Sequence, residues 1–307
     1  MKKLAIIGSG SWSVALASVF RNINLIVKTN DTKRTKKKFK FYKKYLKITD
    51  DYKDIVDCNL IFFANPSQNL RKDLKKLPKN INSKFVICCK GVENKTNKLM
   101  SEIVDEQFPK NKYAILSGPN FASEVANLLP TATVLSSKSN KLLQEISEVF
   151  MQDKFRTYFN NDIVGTQIGG AMKNIIAIAC GAILGKNLGF NAVAAIITRG
   201  LSEIIDLGVK MGAKKTTFYG LSGIGDLTLT CSSLKSRNTK LGYMLAQKKK
   251  VSTELFEGKE SCESVCQLGE KYNLELPVCN AVKQILKGKD INEIATRLLS
   301  RPLQFEK

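Results

Sequence analysis

Residues 4–27 read LAIIGSGSWSVALASVFRNINLIV. Positions 4–7 form a short, continuously apolar run with β propensity, a strand candidate. Gly8-Ser9-Gly10 follows. An apolar helical stretch then carries Trp12, Val14, Leu16, Val19 and Phe20. Residues 24–27 are a second strand candidate. Strand, glycine turn, helix and strand in so short a span predict a βαβ unit.

Further along, 60–64, 85–89 and 113–116 are strong strand candidates, and 131–136 and 155–159 weaker ones. Helical patterns at 67–77, 96–107 and 140–151 separate or follow them. The very basic segment 30–47 reads as exposed helix or loop. After residue 161 the pattern changes: 164–184, 192–211 and most of 215–300 show helical spacing. The expected class is α/β, with an N-terminal Rossmann-type doubly wound sheet over 1–161 and a C-terminal all-helical domain over 162–307. Asn160-Asn161-Asp162 suits the joint, since Asn and Asp favour turns and helix starts.

Composition narrows the chemistry. The 307 residues include no histidine. That excludes Ser-His-Asp and Cys-His catalysis, His-bearing zinc sites and His-based dehydrogenases. Acid–base work at neutral pH falls to lysine, carboxylate, tyrosine or cysteine. The net charge is +22, but only eight of the 49 basic residues are arginine. Nucleic-acid readers lean on arginine's planar fork, so no nucleic-acid partner is expected. The eight cysteines form no paired CxxC motif, which reads as reduced thiols in a cytoplasmic protein without a metal. The uncharged run 174–185 is too short to span a bilayer and reads as a buried core helix.

Gly8-Ser9-Gly10-Ser11-Trp12-Ser13 is a degenerate GxGxxG. Gly8 permits the tight turn, and Gly10 lets a pyrophosphate approach the helix N-terminus. Ser13 occupies the third glycine position and is small enough to keep the packing. The motif follows a strand and opens a helix, as dinucleotide binding requires. Asp31, 21 residues after Gly10, favours an unphosphorylated ribose. Lys28, Lys33 and Arg34 crowd the same region and suit a 2′-phosphate. The preference stays open.

Two lysines stand apart from the many surface ones. Lys90 ends the fourth strand and points to the cleft. Lys173 lies among small and apolar neighbours, and burial beside other cations would lower its pKa toward neutrality. Asp226 sits in a glycine-flanked turn, as a helix cap or a site carboxylate. Ser236-Arg237-Asn238 reads as a forked phosphate clamp or a basic turn.

The stretches GSGSWSVALA, ANPSQNLR, KGVE, LSGPNFASEVANLLPTA, GGAMKNIIAIACG, TRGLSEIIDLGVKMGA, LSGIGDLTLTCSS and SRN together carry a resemblance. The chain resembles bacterial NAD(P)-dependent glycerol-3-phosphate dehydrogenases along essentially its whole length. The resemblance implies a helical domain like the C-terminal one of 6-phosphogluconate dehydrogenase. It implies interconversion of dihydroxyacetone phosphate and sn-glycerol 3-phosphate with NADPH or NADH, feeding phospholipid synthesis. A small phosphorylated substrate, no membrane span and a homodimer belong to the same expectation. Gly8, Gly10, Ser11, Trp12, Lys90, Ala122, Arg237, Leu255 and Glu257 would contact the cofactor. Lys90, Gly118, Asn120, Lys173, Asn174, Asp226, Ser236, Arg237 and Asn238 would meet the substrate. Lys173 would exchange the proton, with Lys90 and Asp226 completing the catalytic set. Ser13 for glycine, and Asn30 where relatives often carry arginine, are departures. A β-hydroxyacid dehydrogenase would lack the SGPNFASEV and SRN stretches. A catalytically inactive homologue is disfavoured by intact Lys90, Lys173 and Asp226.

Overall fold

A computed structural model describes residues 2–21, 23–42, 45–251 and 255–300. Its strands are β1 (Lys3–Ile7), β2 (Asn24–Lys28), β3 (Leu46–Thr49), β4 (Leu60–Phe63), β5 (Lys84–Ile87), β6 (Tyr113–Ser117), β7 (Thr131–Ser136) and β8 (Phe155–Asn160). They form one sheet in the order β3-β2-β1-β4-β5-β6-β7-β8, parallel except where β7 runs against β6. The period of two explains why β1 is apolar throughout. Leu4 and Ile6 enter the core on one face, while Ala5 and Ile7 enter the core on the other. Ile6 lies beside Val27 on β2 and Phe62 on β4. The chain's winding reverses between β1 and β4. In open α/β sheets the crevice at that point receives the ligand.

The helices of this unit are α1 (Ser11–Val19), α2 (Thr32–Lys38), α3 (Leu70–Leu74), α4 (Met100–Gln107), α5 (Ala122–Ala126) and α6 (Asn140–Ser147). The basic segment 30–47 is thus not all helix or loop: it ends in β3. The pattern at 67–77 shortens to a 3₁₀ turn and α3, and helix at 96–107 begins only at Met100.

The second unit is helical: α7 (Ile163–Gly185), α8 (Phe190–Lys210), α9 (Asp226–Cys231), α10 (Arg237–Ala246), α11 (Glu257–Lys271), α12 (Pro277–Leu286) and α13 (Ile291–Leu299). Asp162 starts α7. Its carboxylate accepts from Gly165 N and Lys214 N at 2.8 Å each and from Thr217 Oγ1 at 2.7 Å. One residue thereby caps the helix and ties down the chain that follows α8. α7 is long and apolar enough to cross a membrane, but 94% of its most apolar window is buried by the other helices and the sheet. α10 crosses it with the two backbones in contact. A Cβ on Gly181 would collide with the Thr239 carbonyl, and one on Gly242 with the Ile178 carbonyl.

Candidate active site

The carboxyl ends of β1, β4 and β5 open into a cleft of about 600 Å³ whose far wall is α7, α9 and α10. At its sheet end, Gly8 has φ +119°, and a Cβ there would lie 2.8 Å from the Ala64 carbonyl oxygen. The fold itself requires that glycine. Gly10 is different. Its φ of −73° suits any residue, and a Cβ would meet no protein atom within 4 Å. It caps α1, whose first-turn N–H groups lack helical partners and attract anions. The vacant side-chain position is therefore room for a ligand to touch backbone, and a dinucleotide pyrophosphate fits it. Gly10→Ala is expected to change folding stability by less than about 0.5 kcal/mol. It is expected to weaken dinucleotide binding at least ~10-fold, or about 1.4 kcal/mol. Denaturant unfolding and calorimetric titration check both halves, and unaltered affinity would refute the cradle.

Ser11 and Trp12 line the same end, the indole packing on Phe155 with ring centroids 6.5 Å apart. Ser13 fits where the third glycine was expected. It is fully buried, and its hydroxyl has no hydrogen-bond partner among the described residues.

The centre of the cleft is a buried carboxylate between two ammonium groups. A wide π-type turn, Leu221–Gly225, delivers Asp226 to the start of α9. Its side chain caps nothing. Oδ1 accepts from Lys173 Nζ at 2.6 Å and Oδ2 from Lys90 Nζ at 2.6 Å. Lys90 also donates to the Gly118 carbonyl at 3.2 Å, and Lys173 to Thr230 Oγ1 at 2.8 Å. Asp226 is 1% exposed and Lys173 8%. Desolvation pushes the Asp226 pKa up, but the two lysines outweigh it and hold the group below the usual carboxylate range. For Lys173 burial dominates. Although Asp226 favours the charged form, desolvation, with Lys90 nearby, brings its pKa down to about 8. Two cations on one anion leave a net positive charge facing the cleft, and one of those cations can release a proton near neutrality.

Ser236 caps α10, accepting from Thr239 N at 3.3 Å, and the exposed Arg237 follows in the first turn. Asn238 is held from both ends. It donates to Asn174 Oδ1 at 3.0 Å and accepts from Gly258 N at 3.1 Å, joining α10 to α7 and α11. Asn120 donates to the Ala132 carbonyl and accepts from Thr133, so β7 fixes it at the cleft edge. Glu257 closes the back of the cleft. Its oxygens accept from Ser67 N at 3.2 Å and Ser67 Oγ at 2.6 Å, and burial raises its pKa. Leu255 and Ala122 also line it.

The residues expected to meet cofactor or substrate thus line one cleft, except that Gly118 does not; Ser13, Lys33 and Arg34 lie outside it, and Lys28 and Asp31 line a neighbouring cavity. With φ +149°, Gly118 lies against Thr133 and supplies the carbonyl that holds Lys90. Sequence reasoning missed Thr230, the second Lys173 partner, although it follows Asp226 by one helical turn. It also missed Ser67 and the buried Asn65, which lines the cleft.

Sequence profiles described as NAD-dependent glycerol-3-phosphate dehydrogenase N-terminus and C-terminus match residues 3–143 and 162–296. A glycerol-3-phosphate dehydrogenase (NAD(P)+) of Caulobacter vibrioides is 38% identical, across 99% of this chain and 99% of its own. The chain belongs to the NAD-dependent glycerol-3-phosphate dehydrogenase family. A second relative so named, from Parvibaculum lavamentivorans, is 36% identical over 99% of this chain and 98% of its own. The crystal structure of the Coxiella burnetii glycerol-3-phosphate dehydrogenase superposes with a TM-score of 0.89 at 31% identity, covering 98% of this chain and 99% of that one. D-mandelate dehydrogenase shares the fold alone, with a TM-score of 0.62 at 10% identity. The family's two-part architecture is the one described above: an α/β sheet unit followed by a helical unit.

Proposed function

We propose that the chain interconverts dihydroxyacetone phosphate and sn-glycerol 3-phosphate with NAD(P)H, feeding phospholipid synthesis. Residues 1–161 would bind the dinucleotide, and 162–307 would supply most substrate and catalytic groups. The observation that carries this reading is the Lys90–Asp226–Lys173 cluster at the middle of a cleft that starts on the α1 N-terminus.

A reduced nicotinamide bound in the cleft supplies the hydride. The chain's own groups manage charge and protons. As a carbonyl carbon is reduced, negative charge gathers on its oxygen. The ammonium groups of Lys90 and Lys173 are fixed in place beforehand by Asp226, so they stabilise that charge without reorganising. Lys173 gives its proton to the oxygen. The loss leaves Lys90 and Asp226 as a balanced pair and removes the repulsion between the lysines. In the reverse direction the neutral Lys173 amine takes the hydroxyl proton. Arg237 and the α10 N-terminus hold the phosphate, positioning the reacting carbon. Spectrophotometric oxidation of NADH and NADPH with dihydroxyacetone phosphate tests the reading, and no oxidation of either would overturn it.

Arg237→Ala separates positioning from chemistry. Loss of a charge-assisted contact to a phosphate is expected to raise KM for dihydroxyacetone phosphate by ~10- to 100-fold. Turnover at saturation falls less. Steady-state kinetics checks the split, and an unchanged KM would remove Arg237 from the phosphate site.

A further inference from the structure

The basic segment that follows β2 takes no part in the chemistry above. Between Asp31 and Asp50, nine of 18 residues are Lys or Arg and none is Asp or Glu. The fold turns the first part of this run outward. α2 is held to the sheet unit by a narrow stripe. Thr35 is buried, its hydroxyl donating to the Asp31 carbonyl at 2.6 Å. Phe39, at the helix end, is 1% exposed and joins the core that holds Leu25 and Val27. Lys33, Arg34, Lys36, Lys37, Lys38 and Lys40 are all exposed.

Among the described residues, none of these six cations forms an ion pair with a carboxylate. Lys38 donates to the Ser9 carbonyl at 2.9 Å, which is neutral. Asp31, the acidic residue next to the run, caps α2 and accepts from Arg34 N at 2.9 Å. Like charges four apart, Lys33 with Lys37 and Arg34 with Lys38, repel on the helix surface. A dense layer of negative charge outside the protein relieves that repulsion.

Phe41 follows the cations and is 46% exposed. Its ring stacks on Phe39 with centroids 6.0 Å apart and meets the edge of the Tyr42 ring at 6.3 Å. The buried Phe39 thus holds an apolar ring outward beside the lysines. Lysines with an exposed aromatic suit the boundary between anionic headgroups and acyl chains. Nucleic acid, the other dense polyanion, is read with arginine's fork and along a groove that tracks the strand. Here one cation of the six is arginine. The six stand around a short helix, and none lines the cleft or the cavities beside β2.

We propose that this surface docks the protein on anionic lipid bilayers, with the α2 lysines over the headgroups and Phe41 entering the boundary with the acyl chains. The attachment is peripheral and independent of the reaction assigned to the cleft.

Co-sedimentation with phosphatidylcholine vesicles, with and without ~30% phosphatidylglycerol, reads the partition directly. Binding to the anionic vesicles should be at least ~10²-fold tighter than to the neutral ones. It should weaken at least ~10-fold between about 0.1 and 1 M salt, as the Debye length shrinks from about 10 to about 3 Å. The combined variant Lys36→Gln, Lys37→Gln, Lys40→Gln should lose at least ~30-fold on anionic vesicles. Phe41→Ser should lose ~5-fold. Denaturant unfolding confirms that both variants are folded. Equal binding to neutral and anionic vesicles overturns the proposal. An anionic preference undiminished in the combined variant overturns the assignment to this surface, and undiminished binding by Phe41→Ser overturns the entry of Phe41. Tighter binding to a single-stranded RNA of ~20 nucleotides than to the anionic vesicles at the same salt overturns the choice of lipid.

Discussion

Lys173→Ala is expected to lower turnover with dihydroxyacetone phosphate by at least ~10²-fold, the usual share of a general acid. The expectation follows from position and charge together. Lys173 is buried, fixed by Asp226 and Thr230, and has a pKa near 8. The variant removes both a proton donor and one of the two charges that stabilise the developing oxyanion. The KM should change far less, since Arg237 and the α10 N-terminus still hold the phosphate. In the unaltered protein the same group sets the pH profile. The donor is the ammonium form, present below its pKa, so carbonyl reduction should decline as pH rises through about 8. Alcohol oxidation needs the neutral amine and should decline as pH falls through the same region. Rates in both directions across pH, for both proteins, are the measurement. A Lys173→Ala variant with near-normal turnover, or reduction that stays flat above pH 8, would remove Lys173 from the chemistry.

Asp226→Asn is the second large effect. The amide keeps the shape but leaves two ammonium groups facing each other with no counter-charge. Breaking a buried charge pair costs about 3 kcal/mol or more when the remaining charge stays unpaired. Lys173 relieves part of that by losing its proton. Because Asp226 raises the pKa of Lys173, its removal should move the alkaline limb of reduction below pH 8. Turnover at neutral pH should fall ~10²-fold or more, as less of the acid form remains. Denaturant unfolding together with the pH–rate profile checks the pair of effects. An alkaline limb that stays in place would show that Asp226 does not tune Lys173.

The fold was legible wherever a strand is buried on both faces. Residues 4–7, 60–63 and 85–87 are apolar throughout because helices cover both sides of the sheet. β3 was hidden for the opposite reason. It is an edge strand with an exposed Lys47 whose ammonium pairs with Asp54, so its residues alternate within a lysine-rich background. α5 was hidden by its brevity. In the site, Lys173 stood out because a lysine in an apolar helix needs a partner. The partner itself was not legible: Asp226 lies 53 residues from Lys173 and 136 from Lys90. Only tertiary packing shows that one carboxylate serves both, and that it is no helix cap. The missing histidine pointed toward lysine from the outset.

The glycine crossing of α7 and α10 bears on substrate choice. Lys173 lies eight residues before Gly181, and Arg237 five before Gly242. Where the helices meet, backbone touches backbone, with no side chain between them to change rotamer. On the proposed roles, the proton donor and the phosphate clamp are the jaws of a caliper with a fixed pivot. A sugar phosphate of the same charge with its carbonyl one carbon further from the phosphate is then expected to react more slowly than dihydroxyacetone phosphate.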